Sequence, residues 1–317
     1  MRDPLSDILL AMRVSGATPV RFESRGGYAM RFPAFRHLKF GALLSGRLEL
    51  RPANGPALHL EAGDCYLLTD GAPYASRTGD HPEIDGEAYF ASHRDADGVV
   101  RFGDGAPDKI VIGGRFTFEE TGAEWMRLAL PPAIRIPADS PVAAPLRTTL
   151  SLLGQEVGTN ATGEDLIVAR LADILLVQAL RAYLAMTRDR TPSWLAGLAD
   201  PRLGRALRAF HAGIAEGWSV GRLAAEAGMS RSSFADIFRR RTGLTPMDYV
   251  ARWRLFRIRA EILQTDRPIA IIAEDNGWRS RTSCSRAFRD LFGVSPREAK
   301  AGASLLGAWH EPTGKRT

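Results

Sequence analysis

The chain has 317 residues, 45% hydrophobic, 8% aromatic and 25% charged, a length that calls for more than one domain and a balance that excludes a disordered or fibrous chain. Its formal net charge of +6 is unevenly spread: residues 201–300 hold 19 Lys and Arg against 10 Asp and Glu, net +9, whereas residues 1–200 are net −4. No apolar stretch reaches the roughly eighteen residues of a membrane helix, and the early run at 8–12 is too short for a signal segment, so export and membrane spanning find no support in the sequence.

Of the 19 cations in 201–300, 18 are Arg, whose planar fork suits phosphate and guanine edges, so nucleic acid is the first partner to consider. Cys65 and Cys284 fall in different predicted domains. Neither has a Cys or His partner at metal-ligand spacing, which fits a reducing cytoplasm.

In chain order, residues 18–136 alternate in short runs such as Arg47, Leu48, Glu49 and Leu50, separated by Gly, Pro, Asn and Asp. That period of two with turn signals predicts a β-barrel or sandwich over 1–138. From residue 141 the texture changes to long helix-forming segments at 142–157 and 163–186. The second is apolar around most of its circumference, with Leu166, Ile167, Leu171, Ile174, Leu175 and Leu180. It must be covered on more than one side, as packing of this connector, 139–199, on the β-domain and on a second copy of the chain would do, with burial wholly within one subunit as the alternative. Asp200 followed by Pro201 is an N-cap with Pro at the first helical position, opening a helical domain at 200–300. Residues 301–317 read as a flexible tail.

A repeat lies inside the helical domain. Ser230 to Pro246 aligns with Ser280 to Pro296 at an offset of 50, pairing Phe234 with Cys284, Phe238 with Phe288 and Gly243 with Gly293. Upstream the offset is 49, pairing Ala224 with Ala273 and Gly228 with Gly277. Each copy, at 218–243 and 268–293, reads as helix, tight Gly turn, second helix: a helix-turn-helix. Ser219, Ser230 and Thr245 are placed as N-caps and Gly228, Gly243, Gly277 and Gly293 as helix ends. Each second helix turns its Phe inward, leaving short polar side chains and Arg outward, as base reading in a major groove requires. Between the copies, a helix from Thr245 to about Leu263 spans about 27 Å at 1.5 Å per residue. With its flanking turns it can hold the two second helices about one turn of B-DNA apart, near 34 Å.

These residues identify a resemblance. The segment from Trp218 to Lys300 resembles the DNA-binding domain of AraC/XylS-type transcription regulators, carried by Leu223, Ala224, Gly228, Phe234, Phe238 and Pro246 and by Ile269, Ala273, Gly277, Arg286, Phe288 and Pro296. Trp278 stands where Tyr or Phe is usual, and Cys284 where Phe is usual; both positions face a core. The front of the chain is similar to the cupin-type sensor domain of that family, through Met30 to Ala34, Gly63 to Leu68, Gly71 to Pro73, Gly113 to Phe116 and the segment 171–181. The implied fold is an α+β multidomain chain with a cupin-like barrel or sandwich, a helical connector and an all-α domain with two helix-turn-helix motifs.

The implied function is a sequence-specific regulator of transcription bound to promoter or operator duplex DNA, an activator or a repressor, with RNA polymerase as a candidate further partner. Base contacts fall on Ser232 and Asp236 of the first motif and on Arg281, Thr282, Ser283 and Arg286 of the second. Backbone contacts fall on Arg231, Arg239, Arg240, Arg279 and Arg289. Arg252, Arg254, Arg257 and Arg259 on the connecting helix are weaker candidates, since some must face solvent or pair with acids. In the barrel, Phe32, Phe40, Tyr66, Tyr74 and Phe90 are candidate walls of an effector pocket.

A metal-dependent cupin enzyme fused to a DNA-binding module is the rival reading. It needs clustered His, but His37, His59, His81 and His93 include no closely spaced pair, and Tyr74 occupies the position where the resemblance favours His. The expectation is therefore no catalysis, no metal and no cofactor.

Overall fold

The computed structural model describes residues 17–35, 38–96, 98–116, 129–157, 161–187 and 192–307, with residues 5, 6, 9, 126, 127 and 159. The chain divides into two compact units, Arg13–Arg190 and Thr191–Thr317 with Met1–Met12.

The β unit holds two sheets. In the first, β11 (Ala133–Ile136), β6 (Cys65–Leu68), β3 (Leu38–Ser45), β10 (Lys109–Phe116), β1 (Ala17–Ser24) and β9 (Val99–Phe102) lie in that order. In the second the order is β5 (Leu58–Glu61), β4 (Arg47–Pro52), β7 (Tyr74–Arg77), β2 (Ala29–Phe32) and β8 (Glu83–Asp85), with α1 (Gly86–Ser92) following β8. Neighbours are antiparallel except β1 with β9 and β2 with β8.

Alternation decides which side of each strand is buried. Leu48 and Leu50 of β4 and Leu58 and Leu60 of β5 point inward, where they meet Leu43 of the opposite sheet. Gly46 links β3 to β4 at φ 85°, and a Cβ there would lie 2.8 Å from the Asp108 carbonyl, so the turn requires glycine. Asp64, 2% exposed, accepts from the amides of Glu61 (3.0 Å) and Ala138 (2.8 Å) and from Arg135 Nε (2.7 Å), joining the start of β6 to the end of β11. Such a buried carboxylate persists because its acceptor capacity is met by charged and amide donors.

Two helices, α2 (Ala144–Glu156) and α3 (Glu164–Thr187), cover the outer face of the first sheet. Leu146 and Leu150 of α2 and Leu175 and Ala179 of α3 meet Cys65, Leu67, Phe116 and Ile136 there. The helical segment that the sequence set apart as a connector thus folds with the sheet. Leu166, Ile167 and Ile174 of α3 and Leu152 of α2 stay exposed, at 62%, 44%, 47% and 49%.

The helical unit contains α4 (Trp194–Ala199), α5 (Pro201–Ala212), α6 (Val220–Ala227), α7 (Arg231–Thr242), α8 (Pro246–Gln264), α9 (Ile269–Asp275), α10 (Arg281–Phe292) and α11 (Pro296–Gly307). The sequence drew a boundary at 199/200, but the units part at 190/191. The reason lies in α4, whose Trp194 and Leu195 are buried and whose Ser193 amide donates to the Arg241 carbonyl at 2.9 Å. The last helix also runs past residue 300, the boundary of the expected tail, to Gly307. Residues 308–317 lie outside the described residues.

Side-chain caps form at Asp200, Ser219, Ser230, Thr245 and Ser280, each accepting from an amide of the first turn. The long α8 serves two cores. Tyr249 approaches Phe210 of α5 and Phe238 of the first motif, while Leu255, Ile258 and Ile262 pack with Ile272, Cys284 and Phe288 of the second. Both unusual positions face inward as expected: Cys284 is 2% exposed and Trp278 packs against the same cluster.

Candidate nucleic-acid interface and ligand cavity

Both motifs share one local design. In the first, Gly228 (φ 67°) ends α6 in the left-handed region and Ser230 caps α7 by accepting from the Ser233 amide. In the second, Gly277 (φ 81°) makes the turn and Ser280 caps α10 through the Ser283 amide. Phe234 and Phe238 are wholly buried in α7, as is Phe288 in α10, and this anchoring fixes the outer face of each helix.

All eleven residues assigned to DNA contacts from the sequence are exposed. Helical spacing puts Ser232, Asp236, Arg239 and Arg240 on one face of α7, and Thr282, Arg286, Arg289 and Asp290 on the matching face of α10. Arg231 and Arg281 begin their helices, and Arg279 stands in the turn before α10.

The two faces differ in charge. Asp236 forms an exposed ion pair with Arg240 at 3.0 Å, so a predicted base contact and a predicted backbone contact are tied together. At the Asp236 register α10 carries Arg286, which makes no ion pair among the described residues. Arg289 stands 3.6 Å from Glu298 with both ends exposed, a geometry that holds an arginine weakly. Ser283 turns its hydroxyl to the Ser280 carbonyl at 3.0 Å, so its side chain is engaged within the helix start.

The arginines of α8 do something else. None of Arg252, Arg254, Arg257 and Arg259 is exposed. The Arg254 guanidinium donates to the carbonyls of Ile214 (2.9 and 2.7 Å), Glu216 (2.6 Å) and Gly277 (3.3 Å). One side chain thereby joins the loop before the first motif to the turn of the second. Arg259 lies 4.8 Å over the Phe292 ring. The sequence expected some of these four to face solvent or pair with acids; the carbonyl partners of Arg254 come from distant turns and leave no trace in spacing.

The β unit encloses a cavity of about 580 Å³ between the inner faces of its sheets. Phe32, Phe40, Tyr66, Tyr74 and Phe90 all line it. Phe32 stacks on Tyr74 at 4.8 Å. Phe40 also stacks on Phe116 at 4.4 Å and lines the gap beneath α2 and α3, so it belongs to both layers. Burial holds the Tyr66 and Tyr74 hydroxyls protonated, far above the usual phenol range.

Sequence reasoning missed Lys39. Its Nζ donates to Tyr74 Oη at 3.2 Å and lies 4.6, 4.8 and 5.3 Å from the Tyr74, Phe35 and Phe32 ring centres. The signal was its place two residues before Gly41 and four before Leu43, on the inward register of β3.

Among the described residues no group of three or more His, Cys, Asp or Glu gathers as a metal site would require. His59 is exposed beside Glu49, His93 stacks on Tyr89, and His81 is exposed. His37 lies outside the described residues. No helix among them is long and apolar enough to cross a membrane.

Residues 3–185 match a family model described as Cupin, and residues 223–302 one described as Helix-turn-helix domain. An AraC-like transcription regulator of Streptomyces lividans is 35% identical over 93% of this chain and 96% of its own. The HTH-type transcriptional regulator AlkR of Acinetobacter baylyi is 28% identical over 93% and 98%. Among solved structures, the DNA-binding domain of AdpA in complex with a target DNA is 28% identical over 36% of this chain and 99% of that one, with a TM-score of 0.32. With a cupin front, two capped helix-turn-helix motifs behind it and this identity over nearly its whole length, the chain belongs to the AraC-like transcription regulators.

Proposed function

We propose that this regulator reads promoter DNA with α7 and α10 in successive major grooves, and that α10 carries most of the sequence preference. The observation behind this reading is the exchange of an ion-paired Asp236 for an unpaired Arg286 at the same register. An arginine facing a groove binds guanine O6 and N7 with two hydrogen bonds, whereas an aspartate accepts from cytosine and is repelled by phosphate. Ser232, Thr282, Ser283 and Arg281 complete the base-reading set. Arg231, Arg239, Arg240, Arg279 and Arg289 hold the phosphates.

The exposed apolar row of α2 and α3 supports a homodimer, since Leu152, Leu166, Ile167 and Ile174 otherwise meet water. The cavity supports control by a small-molecule effector, with the front domain regulatory and not catalytic and no metal or cofactor. The protein acts in the cytoplasm, beside RNA polymerase. The testing experiment is selection of binding sites from a random duplex pool by the full-length protein. The expected motif has two boxes one helical turn apart, with guanine prominent in the box under α10; a motif without two boxes would overturn the two-groove reading.

A further inference from the structure

The charge inside the cavity is poorly matched by the protein itself. Four charged side chains line the space: Lys39, Arg94, Arg115 and Glu87. Arg94, Arg115 and Glu87 are exposed at its rim, so Lys39 is the half-buried one. Its ammonium has three N–H donors. One goes to Tyr74 Oη, and among the described residues no other hydrogen bond and no ion pair engages it. The surrounding rings of Phe32, Phe35 and Tyr74 offer their negative faces, which soften the loss of water without accepting a directed hydrogen bond. The neighbouring Tyr28 and Ser76 hydroxyls already bond each other at 3.1 Å.

Opposite the polar side chains, Met30, Leu48, Leu50 and Val111 supply an apolar stretch of wall. A volume of about 580 Å³ lies within the range of about 300–1,000 Å³ typical of small-molecule sites. We infer that the cavity takes an amphiphilic monocarboxylate, its carboxylate bridging the two unengaged N–H donors of Lys39 and its apolar body lying among the rings and aliphatic side chains. A single half-buried cation matches one negative charge. A neutral ligand can accept these hydrogen bonds but leaves the ammonium charge uncompensated. This inference rests on the effector reading above, whose ligand class it names.

Burial lowers the Lys39 ammonium to about 8, with Glu87 of α1 opposing the shift and Arg115 of β10 adding to it. Tyr74 of β7, the other group in contact, stays neutral throughout the accessible range. A bound carboxylate therefore favours the protonated amine, and the free protein loses that proton above pH 8.

The test uses the full-length protein and two matched pairs, 4-butylbenzoate with 4-butylbenzamide and decanoate with decanamide, followed by calorimetry. Each acid is expected to bind at least tenfold more tightly than its amide at pH 7. Raising the pH from 7 to 9 should cost the acids about tenfold, as protonated Lys39 falls from about nine-tenths to one-tenth of the molecules, and leave the amides unchanged. Lys39→Met, which keeps the aliphatic stem, should erase the preference for acid while leaving amide affinity within twofold. Equal binding of acid and amide by the wild type would overturn the carboxylate assignment and keep the effector cavity. Absence of binding by all four probes would overturn the cavity reading with it. The wild-type comparison and its pH course stand even if Lys39→Met does not fold.

Discussion

Arg286 and Asp236 hold the same register on α10 and α7 and offer DNA opposite charges. A bidentate Arg–guanine contact discriminates by about 1–3 kcal/mol, whereas a phosphate contact weakens all sequences alike. Arg286→Ala is therefore expected to relax the preference at one or two base pairs, and Arg289→Ala to lower affinity uniformly; site selection with each variant separates the two. If Arg286→Ala recovers the unchanged motif at reduced affinity, Arg286 touches only backbone. A second residue-scale consequence concerns His211, whose Nε2 lies 2.8 Å from Tyr249 Oη beneath Trp253. Burial, with Arg257 adding to it, lowers its imidazole to about 3. The unfolded chain takes up this proton near pH 6.5 and the folded chain does not, so the stability His211 supplies is present above pH 6.5 and lost as pH falls toward 3. Between pH 7.5 and 5 the helical unit should lose up to about 2 kcal/mol. A proton resonance of His211 that titrates near pH 6 in the native protein would refute this.

At the scale of elements, α8 is the part that the sequence described least well. Its length and its Thr245–Pro246 start were legible, because capping and proline placement act locally. The partners of Arg254 were not, because they are carbonyls of residues 214, 216 and 277. Arg254 ties the loop before one motif to the turn of the other, a link between the motifs beside α8 itself. Arg254→Met should let the protein accept boxes moved by one base pair, with little loss on single boxes; an unaltered spacing requirement in a competition assay would limit Arg254 to a packing role. Helix α3 was expected to be covered on more than one side. The sheet covers one side, and Leu166, Ile167 and Ile174 remain. Ile167→Asp with Ile174→Asp should shift a homodimer to monomer in sedimentation at micromolar protein, and an unchanged dimer would place the contact elsewhere.

For the whole molecule, the +9 of residues 201–300 against −4 in residues 1–200 concentrates phosphate affinity in one unit. Each neutralised phosphate releases counterions, so the logarithm of the binding constant should fall steeply and linearly with the logarithm of salt concentration. A flat salt response would rule out phosphate contacts by these arginines as a main source of affinity. The sequence by itself determined the two-motif design, the β character of the front and the face each recognition helix turns outward, since these follow from periodicity, caps and turn glycines within a few residues of one another. Only the tertiary structure decided which of the two sheets the connector covers, that α4 joins the helical unit, and that Lys39 is enclosed by Phe32, Phe35 and Tyr74. Those outcomes depend on contacts between residues far apart in the chain, which are set by the complementarity of packed surfaces and by hydrogen bonds to distant backbone, and no local pattern encodes them.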